Sequence, residues 1–321
     1  MAKKKTVVAV MIVLLAILLN IYICVWLPLG ENALAGKLLL CALVDAVAVI
    51  CTINVESLLR VPLEILKDRA MFLTLVKNDL QAKFAGSYLG RIWAYVHPLV
   101  TIVLYWFVFQ FGLRSGNVSN HPFILFLMAG LVPWFYFSEA WNGASASLLE
   151  YNYLVKKVVF NVSFLPILKV CSALFVHVFF VSVVIILSLI YGYGLDLYLL
   201  QLVYYILCMA FLVAGLGYFT AACTVFFRDM AQIVNILLTV GIWLTPIMWN
   251  PVATMSAWVQ RVFKLNPMYY VVDGFRDSLL EKVWFWEKPM WSISFWCTAI
   301  LLYLLGVKMF NRLKVHFSDV L

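Results

Sequence analysis

Leu174-Phe175-Val176-His177-Val178-Phe179-Phe180-Val181-Ser182-Val183-Val184-Ile185-Ile186-Leu187-Ser188-Leu189-Ile190 decides the fold class. It is the centre of an apolar run at 166–193, and an α-helix needs roughly 20 such residues to cross a bilayer. Further runs lie at about 6–28, 33–54, 93–114, 122–143, 198–227, 231–249 and 291–310. The chain is 65% hydrophobic and 12% charged. A soluble domain carries about twice that charge. The pattern predicts an all-α polytopic membrane protein.

Charge placement sets the expected topology. With the N-terminus in the cytoplasm, the opposite face carries only Lys37, Arg114, Arg261, Lys264, Arg276, Lys282 and Lys288 of the 23 lysines and arginines. The positive-inside rule then puts both termini in the cytoplasm. Anionic headgroups account for the net charge of +8, so nucleic acid is not needed as a partner. Lys3, Lys4 and Lys5 would suit a signal peptide, but the apolar run behind them is long and no small-x-small site follows. It reads as a retained anchor. Asp45, near the middle of the second run, is costly in a membrane and is expected to face protein.

Residues 57–92 form the longest cytoplasmic stretch. From Glu64 to Phe84 the apolar positions Ile65, Leu66, Phe72, Leu73, Val76, Leu80 and Phe84 recur at helical spacing, and Pro62 suits the helix start. The stretch predicts one amphipathic helix along the membrane surface. Residues 250–290, with Pro251, Pro267 and Pro289, are too interrupted for a span and predict short re-entrant or surface helices.

Several chemistries find no support. Gly30 to Lys37 has the wrong spacing for a phosphate-binding loop and lacks the Ser or Thr after its lysine. No catalytic set can be named. The seven cysteines show no CxxC pair, the histidines no metal spacing, and the cysteines read as small buried hydrophobes. An ion-coupled transporter would want paired charges in repeat-related spans. Asp45 and Glu139 are the only acidic candidates there, and no repeat is visible.

A set of short phrases punctuates the runs. They are Leu75-Val76-Lys77-Asn78-Asp79-Leu80, Lys83-Phe84-Ala85-Gly86-Ser87-Tyr88-Leu89-Gly90-Arg91-Ile92-Trp93, Gly130-Leu131-Val132-Pro133-Trp134-Phe135, Leu154-Val155-Lys156-Lys157, Phe227-Arg228-Asp229, Thr245-Pro246-Ile247 and Asn266-Pro267-Met268-Tyr269-Tyr270. In this order and at these depths, residues 65–321 resemble the membrane permease of ABC-2 exporters for O-antigen, capsule and teichoic acid. The resemblance implies a six-helix ABC-2 core at 93–321, preceded by an interface segment at 57–92. Residues 1–56 add a transmembrane hairpin that the family pattern lacks.

The resemblance also implies a homodimer in the bacterial cytoplasmic (inner) membrane, with two copies of a separate ATPase that bind the ATP and Mg. This chain is expected to carry no cofactor and no metal. The cargo would be a polysaccharide on polyprenyl pyrophosphate. Leu73, Lys77, Asp79, Glu150, Lys156 and Lys157 are the candidate ATPase-coupling residues. Lys156 and Lys157 serve equally well as topology charges. Lys83 and Arg91, at headgroup level, are candidate pyrophosphate contacts or surface anchors. Trp134, Tyr136, Tyr269 and Tyr270 are candidate channel residues, since aromatic faces stack on sugars, though interfacial belts also collect them. Asp273 and Arg276 are candidate gate residues, or a local i,i+3 ion pair. An ABC-2 exporter of a drug or small lipid is the first alternative, and an ion-coupled secondary transporter the second.

Overall fold

The computed structural model describes residues 2–26, 33–83, 88, 90–113, 118, 120–156, 161–249 and 255–321. Apart from an isolated bridge between Val118 and His121, the described elements are helical. Besides short helical turns, among them Leu197–Leu200 and a last one at Phe317–Val320, they are α1 (Ala2–Trp26), α2 (Ala33–Ile53), α3 (Val55–Lys67), α4 (Arg69–Ala82), α5 (Trp93–Phe107, extended to Gly112), α6 (Phe123–Glu150), α7 (Asn152–Val155), α8 (Phe164–Ile190), α9 (Gln201–Phe226), α10 (Met230–Leu244), α11 (Ala257–Phe263), α12 (Pro267–Arg276) and α13 (Pro289–Leu313).

Seven helical stretches are long and apolar enough to cross a membrane: α1, α2, α5 with its extension, α6, α8, α9 with the turn before it, and α13. The chain is a multi-pass membrane protein. The eighth expected span differs in length. α10 has only 15 residues, about 22 Å at 1.5 Å per residue, and stops where Pro246 removes a backbone donor.

Packing follows one row. α4 lies on α8, α8 on α6, α6 on α9, α9 on α13, and the α1–α2 hairpin lies outside α13. α6 is buried along most of its length. α10 and α12 close against it. α9 and α13 meet at glycines, with a Cβ on Gly306 falling 2.2 Å from the Gly215 carbonyl oxygen. Small residues let helix backbones approach this closely. In the hairpin, the Asn20 amide donates to Asp45 at 2.7 Å, which meets the expected cost of that carboxylate inside an apolar pair.

One end of the bundle, here the terminal end, gathers α3, α4, Lys5 and Phe317. Lys5 pairs with Glu56 at 2.6 Å, and Phe317 shares a cluster with Val61 of α3 and Phe310 of α13. The expected single interface helix is in fact two. α3 carries Pro62 inside it, and the chain breaks at Asp68 before α4 begins. Phe72 and Val76 of α4 pack on Phe164 and Leu168 of α8. The buried face of α4 is therefore spent on protein, whereas Leu73 of α4 and Leu66 of α3 are exposed.

Candidate functional site

At the terminal end a half-open cleft of about 890 Å³ lies between α4, α6, α8 and the start of α10. Polar residues dominate its chemistry. Asn142 and Ser145 come from α6, Tyr151 from the turn after it, Tyr153 from α7, and Asn235 from α10. These neutral groups offer donors and acceptors for hydroxyl-rich ligands.

Lys169 organises the cleft. It stands in the first turns of α8, and its ammonium reaches Asp79 of α4 at 2.8 Å and Glu150 of α6 at 2.5 Å. Gly143 makes room for it, since a Cβ there would lie 3.3 Å from the lysine's Cβ. The Tyr151 hydroxyl donates to Asp79 at 2.6 Å. Asp79 is only 4% exposed. Burial pushes its carboxyl up, but hydrogen bonds from Lys169, Tyr151 and Ser172 outweigh this and hold it below the usual carboxylate range. Burial, then the Asp79 charge, push the Tyr151 phenol up. Lys83, at the end of α4, pairs with Glu139 of α6. Two ion contacts thus tie the interface helix to the membrane helices.

Of the expected coupling residues, Asp79 faces inward, bound by Lys169 and Tyr151, and Glu150 pairs with Lys169 while staying half exposed. Leu73, Lys77 and Lys156 are exposed. Lys157 and the side chain of Arg91 lie outside the described residues. Lys169 is not among the seven opposite-face cations, so the sequence places it with the cytoplasmic topology charges and gives it no other role. Its signal was a lone lysine inside an otherwise apolar helix.

The far end carries a second site. The phrases Thr245-Pro246-Ile247 and Asn266-Pro267 form one joint. The Asn266 side chain donates to the Thr245 hydroxyl at 2.8 Å and caps α12 by accepting from the Met268 amide, with Pro267 in the first turn. Arg276, at the other end of α12, donates to the Ile247 carbonyl at 2.8 Å and lies 3.6 Å over the Phe126 ring. The anticipated Asp273–Arg276 pair is not made. Asp273 instead meets Lys288 at 2.9 Å, and Lys288 also holds Asp277 at 2.6 Å. These groups line a small pocket of about 110 Å³ with Tyr269 and Tyr270.

The other aromatic candidates are not gathered along a path. Tyr136 is buried inside the helix bundle, its hydroxyl donating to the Val170 carbonyl at 3.3 Å. Trp134 is buried against α10, where a Cβ on Gly241 would meet its ring at 2.8 Å.

Burial and the nearby Asp273 charge push the Asp277 carboxyl up to about 7, against the pull of Lys288. Its folded value thus lies above its ordinary one near 4, and the folded state binds the proton more tightly. The contribution to stability is favourable in acid and is lost as pH rises through about 7. Thermal unfolding of the purified protein should show stability falling by at most about 1.4 kcal/mol per pH unit between pH 5.5 and 7.5 from this group. Asp277→Asn should remove that part of the slope. An unchanged slope in the variant would rule the cluster out as its source.

Three curated proteins frame this geometry. The O-antigen export system permease protein RfbA of Myxococcus xanthus is 26% identical over 264 residues, which cover 82% of this chain and 99% of that protein. Two proteins of the same name from Klebsiella pneumoniae are each 23% identical, covering 78% of this chain and 95% of their own lengths. Residues 70–280, which contain α4, the cleft and the far-end joint, match the ABC-2 type transporter pattern, and the chain belongs to that family.

Proposed function

We infer that this chain is the membrane permease of an ATP-driven exporter that moves a lipid-linked polysaccharide of the O-antigen type. The polar cleft at the terminal end carries this reading. It sits where α4 and the α6–α7 turn meet the membrane helices, and its neutral amides and hydroxyls suit a sugar chain. The names of the three relatives support the cargo class.

In this reading the terminal end faces the cytoplasm of a bacterium, both termini lie there, and the protein sits in the inner membrane. A separate ABC ATPase, two copies per homodimer, binds ATP and Mg and presses on the exposed face of α4 around Leu73 and Lys77, and on the turn at Lys156. Movement of α4 passes to α6 and α8 through Lys169, because one ammonium holds a carboxylate from each side. The pyrophosphate of the carrier is drawn to Lys83, where phosphate oxygens compete with Glu139 for the ammonium. Arg91 is the second candidate contact. At the far end the Asn266–Thr245 and Arg276–Ile247 contacts hold the exit shut, and their release opens it.

The test is co-purification and export. The tagged chain should bring down an ABC ATPase, and its deletion should abolish surface polysaccharide. Transport by the isolated chain on an ion gradient would sink the reading. Loss of drug or small-lipid efflux, with surface polysaccharide intact, would leave the family and change the cargo.

A further inference from the structure

The α1–α2 hairpin lies outside the segment that matches the family, and it does not close tightly on the core. Between it and the α9–α13 pair runs an apolar groove of about 560 Å³. We propose that this groove holds one acyl chain of a membrane phospholipid.

The walls explain why the space stays open. Ala16 from α1, Ala48 and Cys51 from α2, and Cys297 from α13 face it with short side chains, while Phe211 and Trp296 form its sides. Closely packed helices leave few voids larger than a water molecule. An empty channel here would forfeit dispersion contacts along its length. Water is a poor filler, because an apolar cavity gives it no partners. The helices that form the walls, α1, α2, α9 and α13, all fall among the stretches able to cross a membrane, so hydrocarbon is the surrounding solvent.

The shape fits a chain. From Ser292 to Ile300 the groove follows α13 over about 12 Å, and Leu58 of α3 lies at its terminal-end limit. The other end reaches Phe285, whose neighbours Trp284 and Trp286 stack at 4.4 Å. Tryptophans collect at headgroup level, which places that mouth where a phospholipid keeps its head. Hydroxyls meet there too. Tyr204 accepts from the Trp296 indole at 2.9 Å, and Ser292 donates to the Phe285 carbonyl at 3.0 Å.

Position separates this lipid from the cargo. The groove and the polar cleft share no lining residue, and α9 and α6 stand between α13 and the α8–α4 side. The cleft lies at the terminal end, whereas the headgroup mouth of the groove lies at the far end. A resident phospholipid fits this placement, and the tail of a carrier held at Lys83 does not. The acyl chain then acts as a filler beside the buried cluster that the hairpin shares with α13, which includes Ile23 and Leu304 beyond the groove walls.

The full chain reconstituted in phosphatidylethanolamine and phosphatidylglycerol vesicles gives the test, with a trace of phosphatidylglycerol bearing a mid-chain diazirine. Irradiation should label residues 44–51 and 293–300. Ala48→Trp should cut that label at least fivefold and leave label on the exposed face of α10 unchanged. Native mass spectrometry of the unaltered protein after detergent exchange should retain one phospholipid per chain, a readout that stands even if the variant fails to fold. Label that ignores Ala48→Trp, a preference for a diazirine-bearing polyprenyl phosphate, or no retained phospholipid would each overturn the assignment.

Discussion

Lys169→Met is expected to destabilise the protein by about 3–5 kcal/mol, the cost of leaving one partner of a buried ion pair alone, and to abolish export. Asp79 would keep its burial and lose the one cation paired with it among the described residues. Glu150 is half exposed and can return to water, so the Asp79 carboxylate dominates the loss. The double variant Lys169→Met with Asp79→Asn should regain a large part of the stability, because a neutral amide keeps the Tyr151 hydrogen bond without an unpaired charge. It should not regain export, since the ionic link between α4 and α8 is still cut and only their apolar contact remains. Thermal unfolding in detergent and surface polysaccharide read the two effects separately. The lowered Asp79 value fixes the pH behaviour. Its contribution is complete above its ordinary value near 4 and is lost as pH falls through its folded one. The parent's share should therefore be flat from pH 5.5 to 8, whereas in Lys169→Met the burial of Asp79 is no longer outweighed, so the variant's loss should shrink as pH falls and the carboxyl takes up a proton. A variant within 0.5 kcal/mol of the parent would show the network to be idle.

Gly306→Ala should be nearly as damaging. The new methyl would lie 2.2 Å from the Gly215 carbonyl oxygen and 3.2 Å from the Phe219 nitrogen. Both are backbone atoms of α9, so no side-chain rotation relieves the clash, and the helices must separate. Overpacking of a tight interface costs about 1–3 kcal/mol, and a backbone obstacle puts this site at or above the top of that range. Folded yield on size-exclusion chromatography should fall severalfold. Gly112→Ala is the control, because nothing lies within 4 Å of a Cβ there. Equal yields from the two variants would mean that α9 and α13 slide past the methyl freely.

The ion-pair network and the glycine crossing differ in how visible they were beforehand. Glycine at 306 sits in an apolar run where any small residue would satisfy hydropathy, and only the crossing of α13 over Gly215 makes it obligatory. Lys169 looked like a topology charge because its partners are 90 residues upstream on α4 and 19 residues upstream at the end of α6. No local periodicity connects positions so far apart. The same limit explains Asp273 and Arg276. Their i,i+3 spacing suggested a pair, yet Lys288 takes Asp273 from another element, and Arg276 turns to a carbonyl and a ring. Pro62 misled in a different way. Proline is favoured in a first turn, and α3 begins earlier and carries it inside, because Leu58 and Val61 before the ring and Ile65 after it all pack on the terminal-end cluster.

Length and hydropathy alone determined that this chain crosses a membrane many times as helices, because a bilayer leaves a backbone few ways to satisfy its polar groups. The ordered phrases between the runs determined the family, and the composition of the N-terminal runs announced the extra hairpin. Tertiary structure alone decided which charges meet, which aromatics are buried, and where space remains. Those outcomes depend on the approach of helices distant in sequence, and a one-dimensional pattern carries the period of each helix but not the rotation and height at which two of them touch.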